Sequence, residues 1–242
     1  MKIIRSRFLE FFALSFLMLA PAAVAQTKAE KANKKDVPFS VTRYQSSIDA
    51  FLAADQTSPP PKNAILFIGS SIFRQWTTLV EQMAPLPVFN RAFGGSRTPE
   101  LLHYADIIVV PYAPKVIVYY CGSNDINAEA TPAEIAGNFG KFVGRIHAAL
   151  PKTRVIYVSI LRAPQKENAW DKVDAANRLV RDLCAKDARL SFVDVNPAVF
   201  GPDGKARLEL YREDKLHYHP PAYVGFTAII KPALTKVWEA VK

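Results

Sequence analysis

Five short apolar runs constrain the fold of this 242-residue chain more than any other feature. They are Asn63–Gly69, Pro87–Asn90, Lys115–Cys121, Arg154–Ser159 and Leu190–Val195, each rich in β-branched or aromatic residues. None alternates with polar residues, as a strand with one wet face would; continuous runs suit strands covered on both faces of a parallel sheet. Helical patterns lie between them. Ile135, Phe139, Phe142, Val143, Ile146 and Leu150 recur at i, i+3, i+4 spacing behind Thr131-Pro132, a cap followed by a first-turn proline. Val173, Ala176, Leu179, Val180 and Leu183 repeat the pattern, and Phe226 to Val241 reads as a last helix. Strands alternating with helices predict a three-layer α/β/α sandwich on a five-stranded parallel sheet, joined by right-handed crossovers.

Composition closes off other classes. Half the residues are hydrophobic and 22% are charged, which excludes a chain too polar to bury a core. Two cysteines, Cys121 and Cys184, cannot staple a disulfide scaffold, and neither sits in a CxxC pair that would suggest zinc or redox work. They could pair in an oxidising compartment, but one ends a central strand and the other lies on a helix, which favours two buried thiols.

The N-terminus reads as a targeting segment. Lys2, Arg5 and Arg7 precede an apolar stretch, Phe11 to Ala20, and Ala23-Val24-Ala25 forms an A-x-A site. The stretch is shorter than the roughly 20 residues a membrane-spanning helix needs. We therefore read 1–25 as a signal peptide, 26–39 as a basic, disordered lead-in and 40–242 as one domain, in the periplasm or secreted. The net charge is +9, of which residues 1–25 carry +2 and Lys28, Lys31, Lys34 and Lys35 a further share. The domain lacks the aromatic–basic interleaving of single-strand binders, so no nucleic-acid partner is expected, nor stable membrane insertion once the signal is removed.

In open parallel sheets chemistry gathers at the carboxyl ends of the strands. The first run ends Gly69-Ser70-Ser71, placing a serine hydroxyl on the turn into a helix, where a plain N-cap is the alternative. The second ends in Gly94-Gly95-Ser96, whose bare backbone lets a ligand approach an N–H, or makes a turn. The third ends Gly122-Ser123-Asn124-Asp125; the Asn124 amide can donate to a developing oxyanion or close an Asx-turn. Near the C-terminus, Asp214 and His217 lie three residues apart. A carboxylate so placed can fix the imidazole tautomer and leave its other nitrogen free to accept a proton.

These four blocks in this order resemble the SGNH hydrolases, the GDSL-like lipase and acylhydrolase superfamily, from Ile65 to about Phe226. The resemblance implies a flavodoxin-like sheet, Ser71 as nucleophile, His217 as base and Asp214 as its orienting acid. It implies an oxyanion hole from Ser71, Gly95 and Asn124, and two-step acyl transfer without metal or cofactor. The family usually has Asp where this chain has Ser70, which predicts a perturbed turn rather than a dead enzyme. His217 fits D-x-x-H and His219 does not, while His103 and His147 fall within predicted helices.

Three functions follow as expectations. The first is an exported esterase acting on a small-molecule or polysaccharide ester, removing short acyl groups from carbohydrate. The second is a lysophospholipase or broad lipid or aryl esterase, and the third a non-catalytic binding module on the same fold.

Overall fold

A computed structural model describes residues 42–242. The signal-peptide and lead-in readings of 1–39 lie outside the described residues. The sheet is built from β1 (Ile65–Gly69), β2 (Val88–Asn90), β3 (Val116–Tyr120), β4 (Arg154–Val158) and β5 (Leu190–Val193), all paired parallel in the order β2-β1-β3-β4-β5. That is the flavodoxin-like order, in which the chain reverses direction across the sheet between β1 and β3.

Eight α-helices accompany the strands among the described residues: α1 (Gln45–Thr57), α2 (Ser71–Arg74), α3 (Leu79–Met83), α4 (Thr98–Ile108), α5 (Ser123–Asn127), α6 (Pro132–Ala149), α7 (Trp170–Cys184) and α8 (Pro220–Glu239). None is long and apolar enough to cross a membrane. Successive strand residues point to opposite faces. Leu66, Ile68, Ile117 and Tyr119 pack with residues of α1, α4, α6 and α7, whereas Ile65, Phe67, Val116 and Val118 pack with α2, α3 and α8. Burying each such aliphatic or aromatic side chain contributes about 1.5–3 kcal/mol, so the two apolar layers supply most of the drive to fold.

Three departures from the sequence reading have local causes. Ser191 and Phe192 are half-buried, because β5 is an edge strand whose flank is less covered. The last helix starts at Pro220, six residues before Phe226; prolines there fill the first turn, where no N–H donor is needed. The stretch after Ser71 is one helical turn that stops at Arg74.

Candidate active site

β1 ends in a residue that only glycine serves well. Gly69 has φ +154°, and a Cβ there would lie 2.0 Å from the Tyr120 carbonyl oxygen at the end of β3. The backbones of the two strands can approach only because that atom is missing. Ser70 follows in extended conformation, its N–H donating to that same Tyr120 oxygen at 3.1 Å, and Ser71 then opens α2. The expected perturbation from Ser70 does not displace the turn: Ser71 Oγ stands 2.8 Å from His217 Nε2. Ser70 is itself 1% exposed, and its Oγ has no hydrogen-bond partner among the described residues.

The loop before α8 explains why three residues must separate acid and imidazole. Asp214 Oδ1 accepts the backbone N–H groups of Leu216 (3.0 Å) and His217 (2.9 Å), with Lys215 turned to φ +54° between them. The other oxygen, Oδ2, meets His217 Nδ1 at 2.6 Å. Since a carboxylate can only accept, Nδ1 carries the proton and Nε2 presents its lone pair to the Ser71 hydroxyl. Burial pushes the Asp214 carboxyl up, but its bonds to the His217 ring and the two backbone N–H groups outweigh that and hold it at about 2. Asp214 is thus an anion at neutral pH. The loop is braced by the Arg212 N–H donating to the His217 carbonyl (2.8 Å), a Tyr211–Tyr218 bridge, and the Gln165 N–H donating to the Lys215 carbonyl (3.1 Å).

Gly95 and Asn124 converge on the same end of the sheet. Gly95 takes φ +82°, in the left-handed region where side chains are strained, and its carbonyl accepts the Tyr44 hydroxyl at 2.6 Å. Asn124 Nδ2 donates to the Ser96 carbonyl at 3.0 Å, 28 residues away in sequence. The amide is therefore not closing a local turn. One of its two hydrogens is used in orienting it, which leaves the second for a ligand.

Asp125 welds these blocks together. Its carboxylate accepts the Thr98 N–H (3.0 Å) and the Thr98 hydroxyl (2.5 Å), tying the start of α4 to α5, which carries Asn124. Burial pushes its pKa up to about 6, with the Thr98 bonds opposing. The native state therefore holds this proton more tightly than an unfolded chain does. Stability from this group is full below about pH 4 and is lost as pH rises through 6, about 3 kcal/mol over that window. Asp125→Asn keeps an acceptor for Thr98 but cannot titrate. Its Tm, measured from pH 4 to 6, should fall less steeply than that of the parent; parallel curves would refute this reading.

Two contributors carry no motif. Tyr44, just ahead of α1, reaches Gly95 from outside the four blocks; burial pushes its phenol up to about 12, so it is a neutral donor. Lys166, 3% exposed, donates from Nζ to Ser123 Oγ at 2.9 Å, next to Asn124. No sequence signal marks either, because each acts through a contact between distant segments. The remaining histidines are elsewhere. His147 meets the Thr153 carbonyl before β4, at the opposite end of the sheet, and His103 packs on Tyr104. His219 caps α8, its N–H donating to the Leu210 carbonyl. Cys121 and Cys184 are buried and unpaired.

Solved structures share this fold. One from Streptococcus pneumonia, named for a platelet activating factor, is 21% identical with a TM-score of 0.70, covering 89% of this chain and 100% of that one. A GDSL-like lipase from Bacteroides thetaiotaomicron is 21% identical at TM-score 0.63 (78% and 97% covered). A carbohydrate esterase family 3 protein from Talaromyces cellulolyticus is 18% identical at TM-score 0.57 (74% and 99%). No curated protein matches the chain. Residues 66–223 match the GDSL-like Lipase/Acylhydrolase family, and the chain belongs to that family as a carboxylic ester hydrolase.

Proposed function

We propose that this protein is an exported serine esterase that removes short acyl groups from carbohydrate through Ser71, His217 and Asp214. The observation that carries this reading is the unbroken relay, 2.6 Å from Asp214 to His217 and 2.8 Å from His217 to Ser71. His217 Nε2 takes the hydroxyl proton as Ser71 Oγ attacks the ester carbonyl, and Asp214 steadies the imidazolium that forms. Negative charge on the carbonyl oxygen meets the N–H groups of Ser71 and Gly95 and the free hydrogen of Asn124. His217 then protonates the departing alcohol. Water, deprotonated by the same nitrogen, attacks the acyl-serine to release the acid and restore the hydroxyl.

Two features support the carbohydrate part. A groove of about 730 Å³ at the carboxyl ends of β4 and β5 is lined by polar side chains, among them Arg162, Asp174, Asp194 and Asn196. Sugar hydroxyls can use such groups; an acyl tail cannot. A more apolar-walled cavity, about 660 Å³, lies at the other end of the sheet beside Lys115 and Thr153, away from Ser71. Export rests on the sequence of residues 1–25. On a p-nitrophenyl ester series, kcat/KM is expected to peak at acetate and fall from butyrate onward. A maximum at octanoate, or faster hydrolysis of lysophospholipid than of acetylated glycan, would overturn the carbohydrate reading in favour of a lipid esterase.

A further inference from the structure

The space beside the double glycine, read from sequence as open to a ligand, is occupied on two sides by guanidinium groups. A Cβ on Gly94 would lie 2.6 Å from Arg74 Nε and 3.2 Å from its Cζ and Nη2, and a Cβ on Gly95 would lie 3.7 Å from Arg43 Nη2. Arg74 is exposed and sits three residues past Ser71, on the same side of that helical turn. Arg43 is also exposed, with its guanidinium 5.0 Å over the ring of Tyr44, the residue that holds the Gly95 carbonyl. The two cations thus flank the peptide that presents the Gly95 N–H.

Neither has a carboxylate partner among the described residues. The contrast with Arg97 is informative: two residues past Gly95, its guanidinium is bonded by Glu100 at 2.8 Å. The acids of the site are already engaged, Asp214 by His217 and Asp125 by Thr98. Two exposed, weakly hydrated cations beside the Gly95 N–H, with no carboxylate partner among the described residues, attract an anion, and their planar forks match the two oxygens of a carboxylate. The geometry points to an ester of an acidic sugar as the substrate: its carboxylate docks between Arg43 and Arg74 while its acyl group lies at Ser71. This rests on the carbohydrate-esterase reading and narrows it.

The test compares mono-O-acetylated methyl glucuronosides with the matching methyl glucosides, which differ only in the carboxylate. The parent protein is expected to show a kcat/KM about tenfold higher on the glucuronosides, carried by KM, as for a charge-assisted hydrogen bond. The double variant Arg43→Ala/Arg74→Ala should bring that ratio near one, as should high salt. Lys152→Ala, at the far end of the sheet, should leave the ratio at the parental value. A parental ratio of one, or a preference that survives in the double variant, overturns the proposal while leaving the esterase reading standing. Faster turnover of a lysophospholipid than of the glucuronosides would assign the anion subsite to phosphate and overturn it too. Turnover of p-nitrophenyl acetate with neither sugar hydrolysed would instead sink the carbohydrate reading, and this inference with it.

Discussion

Ser71→Ala is expected to lower kcat by about 10⁶ and to abolish labelling by a fluorophosphonate probe, since the relay then ends on a methyl group. The donors of the oxyanion hole stay in place, so a residual rate above that of water should persist. His217→Ala should cost about as much, because Ser71 Oγ loses the nitrogen that takes its proton, and the two losses should not add in the double variant. The controls are the adjacent residues. Ser70→Ala removes a buried hydroxyl that has no partner among the described residues, so it should keep labelling and lose no stability. His219→Ala disturbs only a helix entrance and should retain most activity. Steady-state kinetics with probe labelling on all four variants decide the matter. A dead Ser70→Ala beside an active Ser71→Ala would place the nucleophile one residue earlier and break the proposed mechanism.

The second large effect belongs to Asn124. Its amide is held at 3.0 Å by the Ser96 carbonyl, so the remaining hydrogen is aimed before substrate arrives. A donor fixed in advance needs no reorganisation as charge builds on the carbonyl oxygen, which is why such donors act mainly in the transition state. Asn124→Ala is expected to lower kcat by about 10²–10³ with little change in KM. If the amide served only to join two loops, the variant would lose Tm while the folded fraction kept its kcat. Kinetics and a melting curve on one preparation separate these outcomes, and a stable, fully active variant would remove Asn124 from the oxyanion hole.

Much of this was legible in the chain itself, for reasons visible at particular residues. β1, β3 and β4 are central strands, so their sequences report burial on both faces without interference, and their limits fall within two residues of the apolar runs. β5 is at an edge, and Ser191 in its run already hints at a thinner cover. Ser71, Asn124, Asp214 and His217 could be marked as candidates because each sits in a short block that resembles a motif of the family, although Ser71 and Asn124 taken alone read equally as a cap and a turn residue. The Asp214 turn is the clearest case, where one carboxylate satisfies the N–H groups two and three residues on. Tyr44, Lys166, Arg43 and Arg74 were not legible as site residues. What they do depends on which distant backbone they meet, and no local pattern records that.

The hydroxyl and the imidazole that meet at 2.8 Å are 146 residues apart, the first at the end of β1 and the second on the loop that leads into α8. No contiguous fragment of the chain that stops short of that loop can therefore carry the chemistry. A ribosome must release the chain at least through His217, and the last helix must close against α2 and α3, before the first turnover. Until that loop is in place the hydroxyl has no imidazole within reach, so activity waits on the folding of the whole domain.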